Sequence, residues 1–258
     1  MESRRVSAIV ASIGTTHPWN IAGIGLDVRV AAEFGVRAVI AIAAVSAQDA
    51  GGVRALFPIP ADVLRAQLDA LPDGVGAYRI GALGSPQNVG EVARFVRAHR
   101  HVAAVVDPVF AASLGGALAD DATVAAFAAE LLPEPSVVLT PNMYEAARLL
   151  AGPMPSRADD LLASARALRA RGPQAVLLKG GHLAGDPADA FAAADEARLY
   201  TESRLPGSMR GTGCVLAMAI ACELARGRTL RAAVESARAF VRERIAARAM
   251  LGGLQVAF

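Results

Sequence analysis

From Val102 to Leu150 the chain reads VAAVVDPVFAASLGGALADDATVAAFAAELLPEPSVVLTPNMYEAARLL. Two short runs in it, Val102–Val106 and Val137–Leu139, are apolar and rich in β-branched valine, and each reads as a buried strand. Each is closed by a polar residue beside proline, in Asp107-Pro108 and Thr140-Pro141. Helix-period segments follow them, Asp121–Leu132 and Met143–Ala151. The order is strand, helix, strand, helix. Parallel strands need such a crossover, and the crossover is right-handed.

Outward from this stretch the pattern repeats. Ser7–Ile13, Arg37–Val45, Ala77–Ile80 and Ala175–Leu178 read as further buried strands. Gly23–Phe34, Ala61–Leu71, Pro86–Arg100 and Arg157–Arg171 read as helices. Ser85-Pro86 sets a cap residue before a proline at the first helical position. Ser156 followed by Asp159 resembles a capping box. A hairpin-like pair follows at Asp189–Ala192 and Arg198–Tyr200, and two helices, Thr212–Arg226 and Thr229–Met250, end the chain. The expected fold is α/β in three layers, a central mostly parallel sheet with helices on both faces. Residues 1–258 form one domain on this reading, with Pro153–Pro155 a turn inside it and no linker or internal repeat.

Composition narrows the function. Hydrophobic residues are 54% of the 258 and charged residues 19%, which excludes intrinsic disorder. Apolar runs such as Ala38–Val45 are far shorter than the ~20 residues that span a bilayer, so no membrane association is expected. A net charge of +2 supplies no nucleic-acid-binding stripe. Arg4-Arg5 and the short apolar stretch after them, Val6 to Ile13, lack the features of a signal peptide, and the stretch reads as the first strand. The two cysteines, Cys214 and Cys222, are no disulfide framework and fit a reducing, cytoplasmic setting. Of the 26 basic residues, one alone is lysine, Lys179. A compact ammonium at a phosphate is not replaceable by a planar guanidinium; the competing explanation is compositional chance.

In open α/β sheets ligands bind at the carboxyl ends of the strands, and the motifs gather there. Gly211-Thr212-Gly213-Cys214 opens an apolar helix. Its unpaired N–H groups suit a phosphate or a developing oxyanion, and its glycines permit close approach; a plain helix start would have the same appearance. Cys214, in the first turn, is expected to have a thiol pKa lowered by the helix dipole and to act on a hydroxyl, or else to be a small buried residue. Cys222 reads as packing. Lys179-Gly180-Gly181-His182 ends a buried strand, with Lys179 placed for phosphate oxygens and His182 a loop residue. Asp107 and Glu145, after neighbouring strands, could hold Mg²⁺ through waters. Asn142 is either a helix cap or a site residue. Gly14, Asp27 and Gln48 follow the first two strands, and an Asp with a Gln could read a heteroaromatic ring.

In order along the chain, these residues resemble the hydroxymethylpyrimidine/phosphomethylpyrimidine kinases of the ribokinase-like superfamily. The resemblance runs from about Ile9 to Ile245. Ala22-Gly23-Ile24 with Asp27, Ala47-Gln48, Asp107-Pro108-Val109, Leu139-Thr140-Pro141-Asn142 with Glu145-Ala146, Leu178-Lys179-Gly180-Gly181-His182-Leu183 and Gly211-Thr212-Gly213-Cys214 carry it. It implies ATP, Mg²⁺ and phosphoryl transfer to 4-amino-5-hydroxymethyl-2-methylpyrimidine, its monophosphate or both, in thiamine biosynthesis or salvage. By the same resemblance Cys214 acts at the substrate hydroxyl and Gly211, Thr212 and Gly213 form the anion hole. Lys179, Asn142 and Thr212 face the nucleotide, Asp107 and Glu145 organise magnesium, and Gly14, Asp27, Gln48 and Val109 contact the pyrimidine. The partner is a small molecule, and the assembly a homodimer.

The chain departs from the family pattern in places. Asn20-Ile21 stands where the family has Gly-Gly, in a loop one residue longer that also carries His17-Pro18-Trp19. Gly25 stands for a frequent Gln, Arg210 for a His, and Ser113-Leu114 for a more polar pair. These changes bear on the acceptor, so a pyridoxine or pyridoxal kinase is the alternative. A non-catalytic pyrimidine-binding protein is a third reading, against which Lys179 and Cys214 speak.

Overall fold

The computed structural model describes residues 8–113 and 115–258. Arg4-Arg5, Val6, Ser7 and Leu114, read above from the sequence, lie outside the described residues. In chain order the elements are β1 Ile9–Thr16, α1 Gly23–Glu33, β2 Arg37–Asp49, β3 Gly52–Pro58, α2 Ala61–Asp69, β4 Val75–Ile80, α3 Pro86–Ala98 and β5 Ala103–Val106. There follow α4 Asp121–Ala126, which runs on as a π-helical turn over Phe127–Leu131, β6 Val137–Leu139, α5 Met143–Leu150, α6 Ala158–Arg169 and β7 Ala175–Gly180. β8 Ala188–Ala192, β9 Ala197–Thr201, α7 Thr212–Ala225, α8 Leu230–Ala246, β10 Ala249–Leu251 and β11 Leu254–Val256 complete the chain.

Nine strands form one sheet in the order β3-β2-β1-β4-β5-β6-β7-β8-β9. The central run from β2 to β7 is parallel, and β3, β8 and β9 add antiparallel edges. Both faces are buried, as the unbroken apolar runs require. On one face Ala11, Ile13, Tyr78, Ile80, Ala104, Val106, Val137 and Leu139 pack with the helices from α2 to α6. On the other, Val10, Ala77, Val105, Val138 and Leu177 pack with α1, α7 and α8. Alternate residues of one strand thus serve opposite layers, and the three-layer α/β reading holds. No helix among the described residues is long and apolar enough to cross a membrane.

Several local expectations hold and several shift. Ser85 caps α3, its Oγ accepting from Asn88 N at 3.3 Å. At α6 the acid that closes the box is Asp160, not Asp159: its Oδ2 accepts from the backbone N–H groups of Ser156 and Arg157, both at 3.1 Å. β3 is an unexpected strand that folds back on β2. The last helix stops at Ala246, and the segment read as its end pairs instead as the β10–β11 hairpin around Gly252-Gly253, both at positive φ.

This hairpin braces the region ahead of α7. Gln255 O accepts from Arg210 N at 2.8 Å, and Gln255 Oε1 accepts from Ser208 N at 2.9 Å. Arg210 Nη1 in turn donates to Ser113 O at 2.8 Å, tying the segment to the loop beneath β3. The β2–β3 arm also rests on that loop, through Val53 N to Gly115 O at 3.2 Å.

Candidate active site

Four adjacent strands deliver polar side chains to one edge. Arg79 sits near the end of β4, Asp107 directly after β5, Asn142 just after β6 and Lys179 near the end of β7. Lys179 N donates to Pro141 O at 2.8 Å, which carries the β6–β7 pairing one step beyond the strand and brings Asn142 beside Lys179. The N-terminus of α7 closes the edge from the side. Its cap, Gly211, has φ 78°; a Cβ there would lie 2.4 Å from Ile21 O, so glycine is required twice over. At Gly213 a Cβ would come within 2.9 Å of Lys179 Nζ. The missing side chain is what lets the ammonium stand against the helix start.

A cavity of about 470 Å³ opens over this edge, a size suited to small ligands. Gln48, Asp107, Val109, Asn142, Glu145, Lys179 and the whole of Gly211–Cys214 line it. The sequence-predicted catalytic and nucleotide residues therefore share one wall.

From the cavity wall inward runs an ionic chain. Lys179 Nζ donates to Asp107 Oδ1 at 2.6 Å. The other Asp107 oxygen lies 3.5 Å from Arg79 Nη2, and Arg79 Nε lies 3.3 Å from Asp27 Oδ2. Ser12 Oγ donates to that same Asp27 oxygen at 2.6 Å. Burial works against the charge on Arg79 and on Lys179, but the carboxylates beside each outweigh it and hold both pKa values above the ordinary range. Burial pushes Asp27 up to about 6, against the pull of Arg79.

This chain corrects two expectations. Asp27 does not line the cavity; it is fully buried under the floor, paired with Ser12 and Arg79. Gly14 is off the wall as well, with its backbone packed toward Gly81. Gln48 and Val109 do line the cavity, as do His17 and Trp19.

Cys214 lines the cavity at the first turn of α7, and its thiol pKa moves opposite to expectation. Burial pushes it up, and the opposing pull of Arg79 does not offset this. The dipole argument treats the helix start as wet; here Cys214 is 9% exposed, and desolvation of a thiolate outweighs the partial charge of the helix end. Cys222 is fully buried, with its thiol pushed by burial up to about 12, and has the packing role read from its position.

Asn142 turns out to be a cap and a wall residue together. Its Oδ1 accepts from Glu145 N at 2.9 Å, while Glu145 Oε2 accepts from Asn142 N at 2.7 Å, a reciprocal capping box. Burial raises the Glu145 pKa, with Lys179 opposing and Asp107 reinforcing. As direct magnesium ligands Asp107 and Glu145 are committed elsewhere, and no group of three or more His, Cys, Asp or Glu fit to hold a metal occurs among the described residues. Both still line the cavity, Asp107 beside Lys179 and Glu145 at the start of α5, where their oxygens could reach a cation through water.

Two wall residues escaped the sequence reading. Arg79 was masked by a chain full of arginine; the signal is a charge inside an apolar strand followed by Gly81, where a Cβ would lie 2.1 Å from Arg79 Nη1. His17 stood in the atypical loop without an assigned role.

The region of residues 19–257 matches a family model described as phosphomethylpyrimidine kinase. A hydroxymethylpyrimidine/phosphomethylpyrimidine kinase of Streptomyces coelicolor is 37% identical over 235 residues, covering 90% of this chain and 86% of the relative. A phosphomethylpyrimidine kinase structure from Clostridium difficile superposes with TM-score 0.81 at 25% identity, over 93% of this chain and 100% of the other. A pyridoxal kinase of Bacillus subtilis, solved as an ADP complex, superposes with TM-score 0.88 at 25% identity, over 97% and 96%.

Proposed function

The chain belongs to the phosphomethylpyrimidine kinase family, and we propose that it transfers the terminal phosphoryl group of ATP to the hydroxymethyl group of 4-amino-5-hydroxymethyl-2-methylpyrimidine, its monophosphate or both, at the α7 edge. It is a kinase of the ribokinase-like fold, with thiamine biosynthesis or salvage the setting its family implies. The observation that carries the site assignment is the join of Lys179 to the α7 start, which the absent side chain of Gly213 permits.

The chemistry follows from charge. The acceptor oxygen attacks the γ-phosphorus, the bond from that phosphorus to the bridging oxygen breaks, ADP leaves, and the hydroxyl proton passes to the thiolate of Cys214, which burial makes the minor form of that side chain at neutral pH. Negative charge on the phosphoryl oxygens falls to the N–H groups of Gly211–Cys214 and to the Lys179 ammonium. Fixed donors in a site shielded from water stabilise such charge without reorganising. Asp107 holds Lys179 in place, and Arg79 holds Asp107. Asn142 and Thr212 complete the nucleotide side. Gln48 and Val109 stand on the acceptor side.

Magnesium fits as an outer cation rather than a caged one. Two carboxyl groups on the cavity wall support it, with Asp107 and Glu145 the residues that would hold its waters. The ion, bound with ATP, would neutralise charge on the phosphates. The free cysteines favour a reducing cytoplasm.

The test compares the wild type with Cys214→Ala and Cys214→Asp, following ADP formed from Mg·ATP and the hydroxymethylpyrimidine. The alanine variant is expected to lose ~10²–10⁴ in turnover, the usual worth of a positioned base, with ATP binding little changed. The aspartate variant should regain part of it. Undiminished turnover in Cys214→Ala would remove the cysteine from the chemistry.

A further inference from the structure

Three strong bases line the cavity, Arg79, Lys179 and Arg210. Two are spent on carboxylates: Arg79 on Asp27 and Asp107, and Lys179 on Asp107. Arg210 pairs with no carboxylate among the described residues. Its side chain donates to a neutral acceptor, Ser113 O, at 2.8 Å, and Asp49, also on the wall, is taken by Arg54. The charge on Arg210 is therefore uncompensated.

The guanidinium is nevertheless fixed at the wall. Arg210 N donates to Gln255 O at 2.8 Å, which holds the backbone on the C-terminal hairpin. Ser113 lines the cavity too. It sits in a turn closed by the Ala111–Ala117 bridge and by Ala112 N donating to Gly116 O at 3.0 Å. The side chain thus runs from the residue before Gly211 to a second, braced segment of the same wall. Arg210 is partly exposed, and its Nε and Nη2 have no hydrogen-bond partner among the described residues without being sealed from solvent. An open guanidinium edge with unspent charge suits a phosphate, whose oxygens it meets through paired N–H···O bonds. Ser113 belongs to the segment that begins at Val109, on the acceptor side, whereas Lys179 and Asn142 stand on the nucleotide side.

We propose that Arg210 recognises the phosphate of a monophosphorylated acceptor and makes this chain selective for 4-amino-5-hydroxymethyl-2-methylpyrimidine monophosphate over the free alcohol. The assignment rests on the kinase reading above. In that transfer an oxygen of the acceptor phosphate attacks the γ-phosphorus of ATP. The bond from that phosphorus to its bridging oxygen breaks, ADP leaves with the bond's electrons, and the product is a diphosphate. Two anions must meet, a repulsion that the uncharged alcohol does not bring. Lys179 serves the phosphates of ATP, and Arg210 adds a second cation that no carboxylate cancels. Where the family has a His, a guanidinium keeps its charge at every working pH.

The experiment measures kcat/KM for the alcohol and for its monophosphate, and the KM for ATP, in the wild type, Arg210→Gln, Arg210→His and Arg210→Lys. Calorimetry without nucleotide reads binding of the monophosphate to the same four proteins. Arg210→Gln should weaken that binding about tenfold or more, the ordinary worth of a hydrogen bond to a charged group. The ratio of kcat/KM for monophosphate over alcohol should fall by a similar factor. Arg210→Lys should restore part of both, because charge is kept and the paired geometry lost. Should Arg210→Gln fail to fold, Arg210→His is read in its place. A role confined to tying the Ser113 turn would lower both acceptors equally, and that result would overturn the assignment. So would monophosphate binding equal to wild type, or an ATP KM that rises in step with the loss. If the wild type phosphorylates the alcohol but neither binds nor phosphorylates the monophosphate, Arg210 falls and the kinase reading stands. If it forms ADP with neither, the kinase reading falls and calorimetry alone decides Arg210.

Discussion

At the scale of single residues, two glycines at which a Cβ would be crowded have opposite expected behaviour. Gly213 lies inside α7 with ordinary helical φ, and its hypothetical Cβ meets the flexible end of Lys179 at 2.9 Å. Gly213→Ala should fold with nearly unchanged Tm and displace the ammonium, cutting turnover tenfold or more. Gly211 has φ 78° and meets backbone at 2.4 Å. Gly211→Ala should therefore lower Tm, at a cost of roughly 1–3 kcal/mol for the strained conformation. Thermal melts and steady-state rates on the pair check both. Lys179→Arg keeps the charge but has a wide fork where the gap fits a point donor, and should lose turnover as well. The lone lysine and the Gly-Thr-Gly-Cys run made this much legible in the sequence. The direction of the Cys214 shift was not, because a dipole is visible in a helix start but burial is not. Asp27 was placed in the right neighbourhood and on the wrong side of the floor, since spacing along a helix does not say which partner, here Arg79, takes the carboxylate.

At the scale of elements, α5 carries a titration inside its cap. Burial raises Glu145 above the 4.5 of an ordinary glutamate. Between that value and the raised one, the folded protein holds a proton that the unfolded chain has lost. Stability therefore falls as pH rises through this window. Glu145→Gln keeps the amide-like cap geometry without the charge, and should flatten the decline of Tm between about pH 5 and pH 8; a slope equal to wild type would place the titration elsewhere. The same variant should raise the Mg²⁺ concentration for half-maximal rate. The helices and parallel strands were legible because a period of 3.6 or an unbroken apolar run survives in the sequence. The two hairpins were not. β3 is exposed or half-buried along most of its length, its alternation is broken at Arg54-Ala55 and it leans on a loop, and β10–β11 are three residues each, too short for any period, with the end of an arginine-rich helix running into them.

At the scale of the whole molecule, the strand order places four strand ends and the α7 start around one cavity, which is why residues 200 positions apart meet there. The β2–β3 arm leaves Val45 and Phe57, a cross-strand pair, 45% and 65% exposed. This apolar patch supports the homodimer that the family resemblance implies. Phe57→Glu should then shift the sedimentation coefficient toward that of the monomer, while an unchanged coefficient would exclude this face. The central claim is that the shared cavity is built for ATP-dependent phosphorylation of a heteroaromatic alcohol. Its most direct test is ADP release by the wild-type protein with Mg·ATP and, in parallel, 4-amino-5-hydroxymethyl-2-methylpyrimidine, its monophosphate and pyridoxal, each product weighed by mass spectrometry. The account predicts acceptor-dependent ADP, a product heavier by one phosphoryl group, and a higher kcat/KM for at least one pyrimidine than for pyridoxal. ADP release independent of every acceptor, or none at all, would contradict it.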